Sequence, residues 1–389
     1  MKTLVLTNDF PPRGGGIETY IHEILRRQDP GSIAVLAASG RSRSDGASRD
    51  DVVAHDRSTG YDVARLRAGM WPTRHVADVA AAVARDLGCD RVWLPSSAPH
   101  GLIVPLLQRR GLRVAVATTH GAEAGMAPYP VGRRIIRAAA RADVLTYLGS
   151  WTRSQVERAV GTGRDESRWA RLAPGVDVQQ WSRRHDVVER SLELKAELGL
   201  TERPVVACVS RLVPRKGQDR LIAAWPAVLR RFPDAVLLLV GAGPHARRLK
   251  AAAEPLGDSV RFTGRVAYAD LPAYTALADI ATLPARRRLA GLDVEGLGIV
   301  LLEAAALGIP TVACDTGGVR DALVDGVTGV LLSPHRDERK FTADLADTLC
   351  TLLSDSALRQ RYGAAGRQWV HEHWTWDVPA ATLAGLLSR

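Results

Sequence analysis

The feature that most constrains this sequence is a twofold series in which short apolar, β-branched segments alternate with longer helical patterns. In the first half, the strand candidates are Thr3 to Thr7, Ile33 to Ala37, Arg91 to Leu94, Val114 to Thr118 and Val144 to Tyr147. A polar stretch follows, and the second set is 204–210, 235–241, 260–264, 280–284 and 310–314. Such alternation predicts an α/β protein with two Rossmann-like, doubly wound parallel-sheet domains that face a cleft.

Composition excludes several classes of protein. Hydrophobic residues make up 46% and charged residues 24% of 389 residues, which fits a folded globular chain and neither a disordered nor a fibrous one. No apolar run approaches the roughly 18 residues of a membrane-spanning helix, and the apolar start is too short for a signal peptide, so we expect a cytoplasmic protein. The four cysteines are far apart, which favours buried free thiols over a metal site.

The net charge of +10 favours an anionic partner. Nucleic acid, an anionic membrane and a phosphorylated substrate would each satisfy it, as would a solvated basic surface with no partner. Charge alone does not choose among them.

The strongest chemical signal is the segment from Gly291 to Cys314. It places Glu295 in a glycine-flanked loop, Gly298, Ile299 and Val300 at a helix start, and Glu303 on the helix. Free amides at a helix start suit a diphosphate, whereas the two carboxylates should face hydroxyls. Taken alone, glutamates near a helix start are also ordinary capping residues.

A second signal, Ser210 to Gln218, directly follows a predicted strand of the same sheet. Arg211 can bind phosphate with its planar fork, and Lys216 offers a mobile charge. Two motifs in the first half also follow strands: a glycine-rich turn with Gly15 and Gly16, which is not a dinucleotide fingerprint, and His120 before Gly121. Ligands bind at such strand ends in doubly wound sheets.

These motifs together resemble glycosyltransferase family 4, a family of retaining enzymes with the GT-B fold. Within it, the chain is similar to the actinobacterial transferases that add the second mannose to a phosphatidylinositol mannoside. The resemblance spans nearly the whole chain and rests on Thr7 to Arg13, Gly15 to Ile17, Thr119 to Gly121, Pro174 to Asp177, Ser210 to Gln218 and Leu292 to Val300.

The resemblance implies roles for these residues. Arg211 and Lys216 would bind the donor diphosphate, Gly15 and Gly16 would close over it, and Glu295 and Glu303 would hold the sugar and the ribose. His120 would lie near the sugar, with Arg265 and Val266 beside the base. The implied donor is GDP-mannose without a metal or other cofactor. Residues 1–180, joined by the tail 371–389, would bind the acceptor, and residues 181–370 the donor.

Two departures from the relatives leave the acceptor open. Ala122 replaces a polar residue after Thr-His-Gly, and the loop from Arg286 to Gly291 is unusually basic. The alternatives are a family 4 transferase that glycosylates a small hydrophilic or antibiotic-like acceptor with another donor, and a sugar-nucleotide epimerase of the same fold. Nucleic-acid binding would explain the charge but not the two glutamates.

An arginine series predicts peripheral contact with the inner face of a membrane. Arg133, Arg134, Arg137 and Arg141 recur at spacings of three and four, which places them on one helix face. Such a face would attract the headgroups of an anionic glycolipid acceptor, although a solvated basic face is the simpler alternative.

Overall fold

The computed structural model describes residues 2–12, 15–39, 48–67, 69–161 and 163–389. The chain forms two compact units, Met1–Gly175 with Trp376–Arg389, and Val176–Thr375. The helices are α1 (Gly16–Leu25), α2 (Arg49–Ser58), α3 (Arg74–Asp86), α4 (Val104–Arg109), α5 (Gly121–Met126), α6 (Pro130–Ala139), α7 (Ser150–Val160), α8 (His185–Glu197), α9 (Gln218–Arg231), α10 (Ala246–Ala253), α11 (Leu271–Ala276), α12 (Ile299–Ala306), α13 (Glu338–Ser354), α14 (Ser356–His373) and α15 (Asp377–Leu387).

Each unit is built on one parallel sheet. The strands are β1 (Lys2–Thr7), β2 (Ile33–Ala38), β3 (Asp62–Leu66), β4 (Cys89–Leu94), β5 (Arg113–Thr118), β6 (Val144–Tyr147), β7 (Trp169–Arg171), β8 (Val205–Val209), β9 (Val236–Val240), β10 (Val260–Gly264), β11 (Ile280–Leu283), β12 (Thr311–Cys314) and β13 (Gly329–Leu332). Within the described residues, the orders are β3-β2-β1-β4-β5-β6-β7 and β10-β9-β8-β11-β12-β13. The predicted class, two doubly wound parallel sheets, is confirmed.

The sequence pattern missed three strands, β3, β7 and β13, and all three lie at sheet edges. An edge strand has a neighbour on one side only, so its residues are less buried and its pattern is less apolar. The residues of β3 are half-buried or exposed, whereas β2 is buried throughout. The missed strands therefore lack the continuous apolar run by which the central strands were recognised.

Central strands are buried on both faces because helices cover both sides of each sheet. In β1, Leu4 and Leu6 point into one core cluster and Val5 into another, as the two-residue period of a strand requires. The terminal helix α15 adds Leu383, Leu386 and Leu387 to the second of these clusters. No helix in the described ranges is long and apolar enough to cross a bilayer.

In each sheet the chain order reverses beside the first strand, between β1 and β4 and between β8 and β11. At such a point, the loops that leave neighbouring strands run in opposite directions and open a crevice at the carboxyl edge. The motifs that follow β1, β5 and β8 therefore lie at the edges where a ligand can bind.

Candidate functional site

The second unit contains a cavity of about 590 Å³ beyond the carboxyl ends of β8, β9 and β10. The start of α12 forms another wall. Six residues that the sequence predicted for a donor site line this one cavity: Arg211, Arg265, Val266, Ile299, Val300 and Glu303.

The first residues of α12, Ile299 and Val300, line the cavity. Its N-cap, Gly298, has φ +87°, a left-handed conformation that favours glycine. The first amides of a helix have no partner within the helix, and the helix dipole adds partial positive charge there. Ile299 and Val300 thus line the cavity at a position suited to an anionic group.

Glu303 is a buried carboxyl group one turn into α12, only 6% exposed. Burial raises its pKa to about 7, against the lowering effects of Lys216 and of a hydrogen bond from Tyr268. Glu303 therefore lies close to the balance between its neutral and ionised forms at neutral pH. Tyr268, which also lines the cavity, was missed by the sequence reasoning.

Glu295 and Lys216 form a buried ion pair, with 2.8 Å between Oε2 and Nζ and 8% of each residue exposed. Burial alone would raise the pKa of Glu295, but Lys216 and Arg215 outweigh it and hold that pKa below its usual value. Two buried carboxyl groups at one end of the sheet thus differ in charge state because Lys216 contacts only one of them directly.

The loop after β8 is fixed by a buried amide. Gln218 is fully buried, and its Nε2 donates to Ser210 Oγ at 2.9 Å and to the carbonyl of Arg211 at 3.1 Å. Gly217 has φ +78°, and a Cβ there would come within 2.0 Å of the Pro284 carbonyl. The loop therefore needs this glycine, and it leaves the exposed Arg211 guanidinium without an ion pair in the described parts of the chain.

The basic loop noted in the sequence is joined to this site. Asp293 pairs with both Arg215, at 3.3 Å, and Arg288, at 3.0 Å. In the sequence between Arg288 and Asp293, Leu289 and Ala290 have φ values of 49° and 53°, which non-glycine residues seldom adopt. The sequence alone did not identify Asp293 and Arg215 as residues of this site, because only the structure shows that the two side chains pair.

In the first unit, the glycine-rich turn leads into α1. Gly15 is the N-cap, and the carboxylate of the buried Glu18 lies so close that a Cβ at Gly15 would come within 2.2 Å of it. Gly16 has open space around its Cβ position. Arg13 and Gly14 of the same motif lie outside the described residues.

His120 follows β5 and is half-buried. Its Nε2 lies 2.7 Å from the Pro95 carbonyl, which only accepts, so Nε2 carries the hydrogen. Its ring packs edge-on against Tyr20 at 5.1 Å, and its backbone N–H donates to Glu123 at 2.9 Å. Glu123 is itself buried and accepts from Ser96 at 3.0 Å, so His120 is held in one orientation.

The chain is similar to known glycosyltransferases. Residues 191–369 match the family model of the glycosyl transferases group 1. The chain is 38% identical over 389 residues to a GDP-mannose-dependent monoacylated alpha-(1-6)-phosphatidylinositol monomannoside mannosyltransferase of Corynebacterium glutamicum, covering 99% of this chain and 97% of the relative. It is 39% identical over 390 residues to the alpha-(1-6)-phosphatidylinositol monomannoside mannosyltransferase of Mycobacterium tuberculosis, covering 99% and 98%.

The chain belongs to this glycosyltransferase family. Among solved structures, HepE of Anabaena in complex with UDP superposes with a TM-score of 0.80 at 20% identity, with full coverage of both chains. At that identity the likeness shows the fold, and the transferase has the GT-B fold that the resemblance implied.

The opposite charge behaviour of the two glutamates predicts opposite pH effects on stability. Glu303→Gln should become more stable relative to wild type as the pH rises from about 4.5 to about 7, since the raised pKa makes wild type lose stability through that window. The free energy of unfolding, measured by denaturant titration at several pH values without ligand, tests this expectation.

Glu295→Gln is the matched control. In wild type the pKa of Glu295 is lowered, so wild type gains stability as the pH rises through that pKa. The substitution removes the carboxylate and leaves Lys216 buried without a counter-charge. This variant should therefore lose stability relative to wild type at neutral pH. The same trend in both variants would contradict the assignment of charge states.

Proposed function

We propose that this transferase moves mannose, with retention of configuration, from GDP-mannose to a phosphatidylinositol mannoside. The observation that carries the proposal is the full-length identity to relatives of that named activity, together with the cavity in which the predicted donor residues meet. The second unit binds the donor and the first unit the acceptor.

The diphosphate of the donor binds where positive charge collects. Arg211 lines the cavity and has no ion pair within the described residues, and Ile299 and Val300 line it at the start of α12. Lys216 adds a positive charge, which is paired with Glu295 at 2.8 Å. These donors also stabilise the diphosphate as it leaves, which is electrostatic stabilisation of the transition state. The proposed reaction needs no metal ion for this step.

The hydroxyl groups of the donor bind to the carboxylates of Glu295 and Glu303. Glu295, kept ionised by Lys216, accepts hydrogen bonds from the mannose, and Glu303 accepts those of the ribose. Arg265 and Val266 line the cavity after β10 and flank the base. The Lys216–Glu295 pair thus links the sugar site to the phosphate site through a single contact of 2.8 Å.

The first unit contributes Gly15, Gly16 and His120. The open Cβ position of Gly16 leaves room for a phosphate to approach the start of α1. His120 has a fixed ring orientation, which suits a residue that contacts the transferred sugar. Because its ring also packs against Tyr20, we expect His120→Ala to lower stability somewhat as well as turnover.

A lipid acceptor requires contact with a membrane surface, and α6 offers one. Arg133, Arg134 and Arg137 lie on this helix and are exposed, while Arg141 follows its end and not its face. Arg137 Nε donates to the Ala159 carbonyl at 2.9 Å, so this arginine also stabilises the fold. Val131, 71% exposed, adds an apolar contact beside the charges. Each free arginine contributes about 1 kcal/mol near an anionic surface.

GDP should raise the melting temperature of the protein without any divalent metal, and UDP should not. Arg211→Ala and Lys216→Ala should each weaken GDP binding more than about tenfold, because a hydrogen bond to a charged group contributes roughly 1.5–3 kcal/mol. Calorimetric titration in the presence of a chelator measures the affinity.

Lys340→Ala, at an exposed position of α13, is the charge-matched control and should bind GDP as wild type does. Arg211→Ala keeps the Lys216–Glu295 pair, so it separates lost binding from lost folding. Binding of UDP alone would overturn the mannose donor, and a strict requirement for magnesium or manganese would overturn the account of the leaving group.

The membrane contact predicts co-flotation with vesicles that contain phosphatidylinositol, at low salt and not at high salt. The triple variant Arg133→Ser, Arg134→Ser, Arg141→Ser removes three free charges and leaves Arg137 in its structural hydrogen bond. It should stay in the soluble fraction while keeping its affinity for GDP.

The control removes three exposed charges elsewhere, with Arg247, Arg248 and Lys250 of α10 changed to serine. This control should float like wild type if α6 is the contact. If wild type remains soluble at low salt and glycosylates a water-soluble acceptor, the lipid acceptor is wrong and the small-molecule acceptor replaces it.

A further inference from the structure

A basic loop of the second unit, residues 286–293, has no part in the proposed binding of the donor. It follows β11, begins with three consecutive arginines and ends two residues before Glu295. We call this segment the arginine loop. An acceptor hydroxyl must reach the sugar that Glu295 is proposed to hold, so a segment next to Glu295 bears on how the acceptor is recognised.

The first arginine anchors the loop to the donor site. The Arg286 amide donates to the Arg215 carbonyl at 2.8 Å, and the Arg286 guanidinium pairs with Asp219 at 2.9 Å. The Arg215 side chain in turn lies 3.6 Å from Glu295 Oε2. The base of the arginine loop is therefore fixed beside the glutamate that is proposed to hold the transferred sugar.

The third arginine closes the loop on itself. The Arg288 amide donates to the Asp293 carbonyl at 2.9 Å, the Asp293 amide donates to the Arg288 carbonyl at 3.2 Å, and the two side chains pair at 3.0 Å. Inside this turn, the Gly291 amide also donates to the Arg288 carbonyl at 2.8 Å. These contacts define the shape of the loop without a ligand, so binding to it costs little ordering of the backbone.

The middle arginine is left with its charge unpaired. Arg287 is exposed, and the described parts of the chain offer it no ion pair, because the two aspartates that contact the loop are bound to the arginines on either side. A Cβ at Gly291 would come within 3.0 Å of Arg287 Nη2, so this guanidinium lies over the loop. Arg287 is therefore a cation at a defined place, and its planar fork suits a phosphate oxygen pair.

Two exposed leucines accompany Arg287 in the same loop. Leu289 is 65% exposed and Leu292 is 44% exposed, although both are large apolar residues. One cation with apolar side chains around it matches the chemistry of a phospholipid, in which a charged phosphodiester is joined to an apolar glycerol and acyl part.

The chemistry of a phosphoinositide explains why such a group belongs near the transferred sugar. Its phosphate is bonded directly to the inositol ring, so the negative charge stays close to the ring hydroxyls. When one of these hydroxyls approaches the mannose, the phosphodiester must come near the sugar end of the donor site. The arginine loop is joined to that end through Arg215 and Glu295.

We propose that the arginine loop is an acceptor subsite in which Arg287 binds the phosphodiester of a phosphoinositide acceptor, while Leu289 and Leu292 contact its glycerol and acyl part. This inference rests on the proposed function and deepens it, because it names the group of the acceptor that the second unit recognises. Arg286 and Arg288 hold the loop in place.

Three acceptors separate these contributions: mannosyl inositol without phosphate, its water-soluble glycerophosphate ester, and the complete lipid in vesicles. Arg287→Ala should lower kcat/KM about tenfold or more for the two acceptors that carry the phosphodiester, and less than about twofold for the neutral one. Calorimetric titration of the GDP-saturated protein with the glycerophosphate ester should show the same loss of affinity. Because this ester is soluble, attraction to a membrane does not contribute.

The leucines are tested with the same acceptors. The double variant Leu289→Ser, Leu292→Ser should turn over the glycerophosphate ester as wild type does and lose about fivefold or more in kcat/KM for the complete lipid. Lys340→Ala and Leu192→Ser, at exposed positions of α13 and α8, are the matched controls and should resemble wild type with all three acceptors. Each variant should also bind GDP within about twofold of wild type.

An equal loss for the neutral and the phosphorylated acceptors, or no loss in Arg287→Ala, would overturn the role of Arg287. A loss of GDP affinity greater than about twofold in Arg287→Ala would also overturn it, since the residue would then act on the donor. If wild type mannosylates the phosphoinositide and Arg287→Ala does so equally well, only this inference is wrong. If wild type glycosylates only an acceptor without inositol, both the proposed function and this inference are wrong.

Discussion

The proposed donor site of this transferase depends on two buried carboxyl groups, of which only Glu295 forms an ion pair with Lys216. Glu295 pairs with Lys216 at 2.8 Å and stays ionised, whereas burial holds the pKa of Glu303 near 7. The proposed binding of hydroxyls beside a diphosphate needs such a division, because two uncompensated carboxylates would repel the phosphates. Lys216 reduces the repulsion from Glu295, and the amides at the start of α12 favour a bound diphosphate.

Much of this arrangement could be predicted from the sequence because local rules determine it. Apolar runs in the sequence identify the buried central strands. In a parallel doubly wound sheet, the loops after those strands lie at one edge of the sheet. Arg211 after β8, Arg265 after β10 and Glu303 on α12 therefore line the same cavity, although 54 residues separate Arg211 from Arg265 in numbering. Gly217 belongs to the motif from Ser210 to Gln218, and the structure shows why this position is glycine: a Cβ there would collide with the Pro284 carbonyl.

What the sequence could not supply are the contacts between distant segments that carry no local pattern. Tyr268 is one aromatic residue in a short turn, and only the structure brings it to Trp181 and into the wall of the cavity that Glu303 also lines. Asp293 joins Arg215 and Arg288 by the same kind of long-range pairing. The arginine face predicted for residues 133–141 was correct in helical spacing but too long, because α6 ends at Ala139.

The central claim is retaining transfer of mannose from GDP-mannose to a phosphatidylinositol mannoside. The most direct measurement incubates the purified protein with GDP-α-mannose and that acceptor in vesicles, without divalent metal, and determines the anomeric configuration of the new linkage by NMR. The account predicts release of GDP and one new α-linked mannose. A β-linked product, or transfer that occurs only from another nucleotide sugar, would contradict it.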